Sequence, residues 1–151
     1  MCSSDLDTGL GSRCELEGLH HHAGRLLLPC KNARLPDYQD RLVVFYYDLA
    51  DGSTGEVISI GRGTVPGLKK LRLTAIDQVG DEIYLVSANR LLLINLKTQH
   101  TRTFKLPKKY HEQIEAIAVM PDGSIFLAED NSKGLARLTR YSGLDELEEK
   151  F

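Results

Sequence analysis

The chain has 151 residues, 19 Lys plus Arg against 21 Asp plus Glu, 42% hydrophobic and 26% charged residues, and a formal net charge of -2. That profile suits one globular domain with a sizeable core and excludes a collagen-like or disordered polymer. So small a net charge provides no field to gather nucleic acid or anionic lipid, and the apolar runs are far too short for a membrane-spanning helix.

The dominant signal is an internal repeat, and a repeat decides the fold before any local propensity does. In chain order, residues 1–12 are expected to be disordered or to form a partial strand; Cys2 has no expected partner there, and residues 1–7 lack the basic patch and apolar run of a secretory signal. The first unit, 13–70, opens with Glu17-Gly18-Leu19, turns at 21–24 and runs on through Leu26, Leu27 and Leu28 to Asn32. A third strand is predicted at 41–49 and a fourth at 55–60, after the Asp51-Gly52 turn; segments 33–40 and 61–70 are the loops that lengthen this unit. The second unit, 71–112, repeats the pattern with Thr74-Ala75-Ile76, a turn at 79–81, an apolar run from Ile83 to Asn89, and strands at 91–96 and 101–106. The third, 113–141, has Glu115-Ala116-Ile117, the turn Pro121-Asp122-Gly123, a run from Ile125 to Asn131 and a strand at 135–141. It has no fourth strand, because 142–151 is an acidic tail with helical leanings.

The turn residues supply a mechanism. Pro presets φ and Gly accepts positive φ, so each unit opens with a β-hairpin. The second strands are apolar at consecutive positions, which predicts burial on both faces by stacked neighbouring sheets. Four short antiparallel strands per repeat make a propeller blade. The fold class is therefore all-β, a partial β-propeller of about three four-stranded blades. Closed rings usually need about 4 to 8 blades, so the chain is expected to be a fragment of a larger ring, with exposed blade edges that invite self-association.

The stretches Cys14-Glu15-Leu16-Glu17-Gly18-Leu19 and Ile114-Glu115-Ala116-Ile117, with the strands that follow them, resemble the SdiA-regulated family of bacterial β-propellers. The resemblance implies a six-bladed ring of which this is about half, an extracytoplasmic protein, periplasmic or membrane-anchored, and no established catalytic residues. A more distant similarity is to gluconolactonase-type and NHL-like propellers, in which a Glu and Asn or Asp side chains hold a divalent cation in the central channel. Glu17 and Glu115 match that Glu, while the middle unit has Thr74 and no copy has the following Pro.

Glu17 and Glu115 are accordingly the candidate metal ligands, for Ca²⁺ above all, since first strands line a propeller channel and hard cations take carboxylates. The other reading is that each accepts structural hydrogen bonds as part of the repeat. Asn32, Asn89 and Asn131 recur in one register, as turn residues or as a ring of amide ligands at one rim, with Glu129 beside the last. Cys14 and Cys30 face each other on a hairpin register centred near residue 22, so they form either a disulfide, which suits an oxidising compartment, or two buried thiols. His20, His21 and His22 are read as surface turn residues, since at most two adjacent strand residues share a face; His100 and His111 stand alone. The loop from Gly61 to Gly67 has the outline of a phosphate cradle without its Lys-Ser/Thr. Lys69, Lys70, Arg72, Lys105, Lys108 and Lys109 read as a solvated basic surface without the aromatics of a nucleic-acid site.

Two functions follow. The favoured one is a non-catalytic module that binds an unidentified small molecule or protein. Its rival is a divalent-metal-dependent hydrolase of ester, lactone or phosphoester bonds, with the cation in the channel polarising substrate and water.

Overall fold

The computed structural model describes residues 6–64 and 67–151, so the expectation for Cys2 lies outside the described residues. The strands form three antiparallel sheets. The first contains β1 (Cys14–Leu16), β2 (His20–His22), β3 (Arg25–Ala33), β4 (Arg41–Asp48) and β5 (Thr54–Gly61); β1 and β2 are two halves of one interrupted inner strand, both paired with β3. The second is the meander β6 (Leu73–Val79), β7 (Glu82–Ser87), β8 (Arg90–Asn95) and β9 (Thr101–Lys105). The third is β10 (Gln113–Val119), β11 (Ile125–Asp130) and β12 (Ala136–Tyr141), followed by the helix α2 (Leu144–Lys150) packed against β9 and β12. Among the described residues no helix is long and apolar enough to cross a membrane.

Strand alternation sorts the side chains into layers. Ile83 and Leu85 of β7 face the first sheet, where they meet Leu27, Leu42, Val44 and Ile58. Tyr84 and Val86 face the other way, onto Ile114, Ile117, Ile125 and Leu127 of the third sheet. The middle sheet is thus buried on both faces at its central strands, which is why β7 and β8 lack polar alternation. The expectation that neighbouring sheets cover both faces does not hold for the flanking sheets. In β11, Ile125, Leu127 and Glu129 are buried while Phe126 and Ala128 are only partly covered. The outer face of the first sheet is closed by its own chain: Leu10 and Tyr38 cover Cys14, Cys30, Val43 and Phe45. Tyr38 arrives on a short helix, α1 (Pro36–Gln39), inside a segment expected to be loop, and meets Phe45 edge-on at 5.4 Å.

The inner strands lie side by side across the sheets and are joined by side chains. Thr74 Oγ1 donates to the Ile114 carbonyl at 2.9 Å, and Asp77 Oδ2 accepts the Val119 N–H at 2.6 Å. On the other flank His20 Nδ1 lies 3.2 Å from Asp77 Oδ1. Gly18, at φ 80°, sits so close to the middle sheet that a Cβ would come 3.1 Å from the Thr74 carbonyl oxygen. A residue without a side chain is required at that approach. Sheets stacked face to face with adjacent inner strands are successive blades of a β-propeller arc.

The recurring motif also has a structural cause. Ladder register shifts between Leu73 and Ala75, and again between Ile114 and Ala116, so Thr74 and Glu115 are each the extra residue of a β-bulge. A bulge bends the strand and re-aims that side chain.

Candidate functional site

The sequence-predicted residues fall into several separate places. The first is the inner rim of the first blade. There Lys31 Nζ donates to Glu17 Oε1 at 2.7 Å, and Asn32 Nδ2 donates to Glu15 Oε2 at 2.6 Å. The Lys31 ammonium is held more firmly protonated than usual, chiefly by its hydrogen bond to Glu17 and further by the fields of Glu17, Glu15 and Glu115. Glu115 Oε1 itself accepts from Gln113 Nε2 at 2.6 Å. Glu17 is therefore held by a lysine and Glu115 by a neighbouring amide. Among the described residues no three His, Cys, Asp or Glu side chains converge as a metal site.

The asparagines do not form a ring. Asn32 lies within β3, not in a turn, because β3 runs on to Ala33. Asn89 sits in the short β7–β8 turn, where its carbonyl accepts the Leu106 N–H at 2.8 Å. Asn131 Oδ1 accepts the N–H groups of Lys133 and Leu135, each at 3.0 Å, and shapes the turn between β11 and β12.

Cys14 and Cys30 are joined as a disulfide, with Cα atoms 5.5 Å apart. They are not directly opposed, as a hairpin centred near residue 22 would have them. The ladder pairs Cys14 with Ala33 and Leu16 with Cys30, with a shift after Glu15. The hairpin end is also tighter than expected: His22 pairs with Arg25, and Ala23 and Gly24 carry the positive φ values of 49° and 76°. The three histidines are consequently a strand rather than turn residues. His20 and His22 share a face with ring centroids 6.1 Å apart, and burial pushes the pKa of His20 down against the opposing pull of Asp77.

Glu129 belongs to a cluster that sequence reasoning missed. It is only 3% exposed, as His111 is only 1%. Its carboxylate is 3.2 Å from His111 Nδ1 and also takes the Arg137 guanidinium. A carboxylate only accepts, so Nδ1 carries the proton and Nε2 accepts from the Tyr141 hydroxyl, 2.5 Å away. Burial lowers the pKa of His111, with Glu129 opposing, and burial together with Glu129 raises that of Tyr141. Phe151 closes the cluster, its ring 6.2 Å from His111 and 6.3 Å from Tyr141. His111 therefore does not stand alone; it is a sealed structural group. One clue was legible: Glu129 follows Ile125 and Leu127 at period two, which places a charge on a buried face.

The open feature is a cleft of about 520 Å³ beside the rim, lined by Lys31, Asn32, Gln39, Arg62, Lys69 and Arg72 among others. Arg62 follows β5 directly. Its guanidinium donates to the carbonyls of Leu71 (2.5 Å), Leu68 (3.2 Å) and Arg41 (3.1 Å), which locks the side chain between the two blades. Burial acts against its charge and Asp40 partly restores it. Lys69 is carried on a single 3-10 turn anchored by the fully buried Leu68, and Arg72 is turned outward between buried Leu71 and Leu73. Lys69 and Arg72, expected to be scattered surface charges, are thus gathered with Arg62 at one cleft.

No family model matches the sequence, and no curated protein is similar to it at a significant level. Solved structures are similar in part. A chain of the S. cerevisiae complex of Dbp5 with Nup159, Gle1, IP6 and ADP aligns at 13% identity and TM-score 0.40, over 82% of this chain and 29% of that one. The N-terminal domain of Nup159 aligns at 16% and 0.38, over 87% and 32%, and the hemopexin-fold protein CP4 from cow pea at 13% and 0.44, over 88% and 69%. The chain spans about a third of the two Nup159-related chains it resembles. At such scores the class, an all-β arc of propeller blades, rests on the strand pairing described above.

Proposed function

We propose that this chain is a non-catalytic ligand- or protein-binding arc of a larger β-propeller, from an extracytoplasmic bacterial protein of the SdiA-regulated type. The observation that carries the reading is that the acids a channel metal would need are already engaged by partners within the chain. Glu17 is paired with Lys31, Glu15 with Asn32, Glu115 with Gln113, and Glu129 with Arg137 and His111. A divalent cation at Glu17 would have to displace the lysine ammonium that this carboxylate already binds.

Other features support the remaining parts. A disulfide is at home in an oxidising compartment. The outward side of the third blade leaves Leu135 and Leu138 exposed at 61% and 68%, a surface that a further blade of a ring would cover.

Calorimetric titration with Ca²⁺ and Mn²⁺, alongside ester, lactone and phosphoester hydrolysis assays, tests the reading. No saturable metal uptake at millimolar concentration and no turnover are expected. Metal-dependent turnover that disappears in the folded Glu17→Gln, Glu115→Gln variant establishes the hydrolase instead.

A further inference from the structure

We propose that the cleft between the first and second blades binds the phosphate group of a small phosphorylated molecule. The inference rests on the reading of this chain as a binding module and names the chemistry of its ligand.

Four cationic side chains, Lys31, Arg62, Lys69 and Arg72, line one concavity, and no carboxylate is among the lining residues. Lys31 is already matched by Glu17. Arg62, Lys69 and Arg72 have no carboxylate within ion-pair distance among the described residues. Asp40 acts on Arg62 without forming an ion pair, and like charges gathered at one cleft repel one another, so their convergence favours an anion.

The geometry favours phosphate over a single carboxylate. Arg62 is pinned through three backbone carbonyls by its Nε and Nη1, so the remaining Nη2 is held in place and loses little freedom on binding. Lys69 and Arg72 flank the backbone that Arg62 holds, on the segment leading into β6. Three cations gathered at one cleft match the several acceptor oxygens and the near-double charge of a phosphate monoester. The cavity, about 520 Å³, falls in the range of roughly 300–1,000 Å³ that suits a small organic ligand rather than a bare ion. Asn32 and Gln39 provide amides for the rest of the molecule. The Asn32 amino group is engaged by Glu15, which leaves its carbonyl oxygen to accept from a hydroxyl.

Calorimetric titration of the chain with pyrophosphate and with glucose 6-phosphate at low salt tests the site. Saturable binding is expected that weakens about 3- to 10-fold in each of Lys69→Gln and Arg72→Gln, and more in the double variant, as for one partly exposed charge contact apiece. These two side chains are exposed and make no hydrogen bond among the described residues, so the variants keep the wild-type unfolding midpoint, and Lys133→Gln binds as the wild type does. Absence of saturable binding up to 10-fold above the usual millimolar range, roughly 10 mM, overturns the proposal. So does binding undiminished in the double variant, or a single-stranded oligonucleotide that binds where both small phosphates fail. Any of these leaves the non-catalytic reading to the metal and turnover assays, which fail or succeed independently.

Discussion

Asp77 is the residue on which three blades meet, and its removal tests the arc directly. Its Oδ2 accepts the Val119 N–H from the third blade, its Oδ1 accepts the Gln78 N–H at 2.7 Å, and the same oxygen faces His20 of the first blade. Asp77→Ala leaves the N–H of Val119, a residue only 7% exposed, without its charged acceptor. A hydrogen bond to a charged group is worth about 1.5–3 kcal/mol. With the weaker losses at Gln78 and His20 added, the expected cost is about 2–4 kcal/mol. For a chain of this length each kcal/mol moves the midpoint by roughly 2–4 °C, so thermal unfolding followed by circular dichroism should show a drop of about 5–15 °C. Asp77→Asn keeps one acceptor oxygen and should fall between that variant and the wild type. The control is Asp81→Ala, which removes an exposed pair with Lys97 and should cost at most about 1 kcal/mol. If Asp77→Ala unfolds at the same midpoint as Asp81→Ala, the inner strands are not coupled through this carboxylate and the blade-to-blade account is wrong.

Replacing both Cys14 and Cys30 with Ala opens a bridge spanning 16 residues and should cost about 2–4 kcal/mol in urea unfolding; a reducing agent should lower the wild-type midpoint and leave the double variant unmoved. Stability should also fall as the solution is acidified from pH 7.5 to 5.5. Burial holds His111 and His20 below the ordinary histidine value of 6.5, so the unfolded chain takes up protons the folded one refuses, and the contribution is complete above that value and lost below it. Unfolding midpoints across this range should fall less steeply in His111→Gln, and a wild-type stability that is flat or rises on acidification would contradict the sealed cluster.

The repeat, and with it the architecture, was readable because it depends on local chemistry. The Pro121-Asp122-Gly123 turn forms where expected because Gly123 takes φ 87° and Asp122 Oδ1 accepts the Ser124 N–H at 2.9 Å, interactions that reach only two residues along the chain. The middle blade was the clearest because burial on both faces leaves an unbroken apolar signal in β7 and β8. The first hairpin was misjudged at its end: Ala23 adopts a positive φ against its own preference, so the turn sits nearer Gly24 and the histidines are released into a strand.

What amino-acid order alone determined about this protein was the set of strands, their turns and the stacking of sheets, since periodicity and turn residues act between near neighbours. Only the folded chain decided where the charges go. Lys31 reaches Glu17, His111 reaches Glu129 and Tyr141, and Lys31 and Asn32 line one cleft with Arg62, Lys69 and Arg72, each across segments that the chain itself separates. A charged side chain leaves no periodic mark. Its partner is chosen by the bulges and blade-to-blade spacing that bring distant backbone within reach, and those exist only once the sheets have stacked.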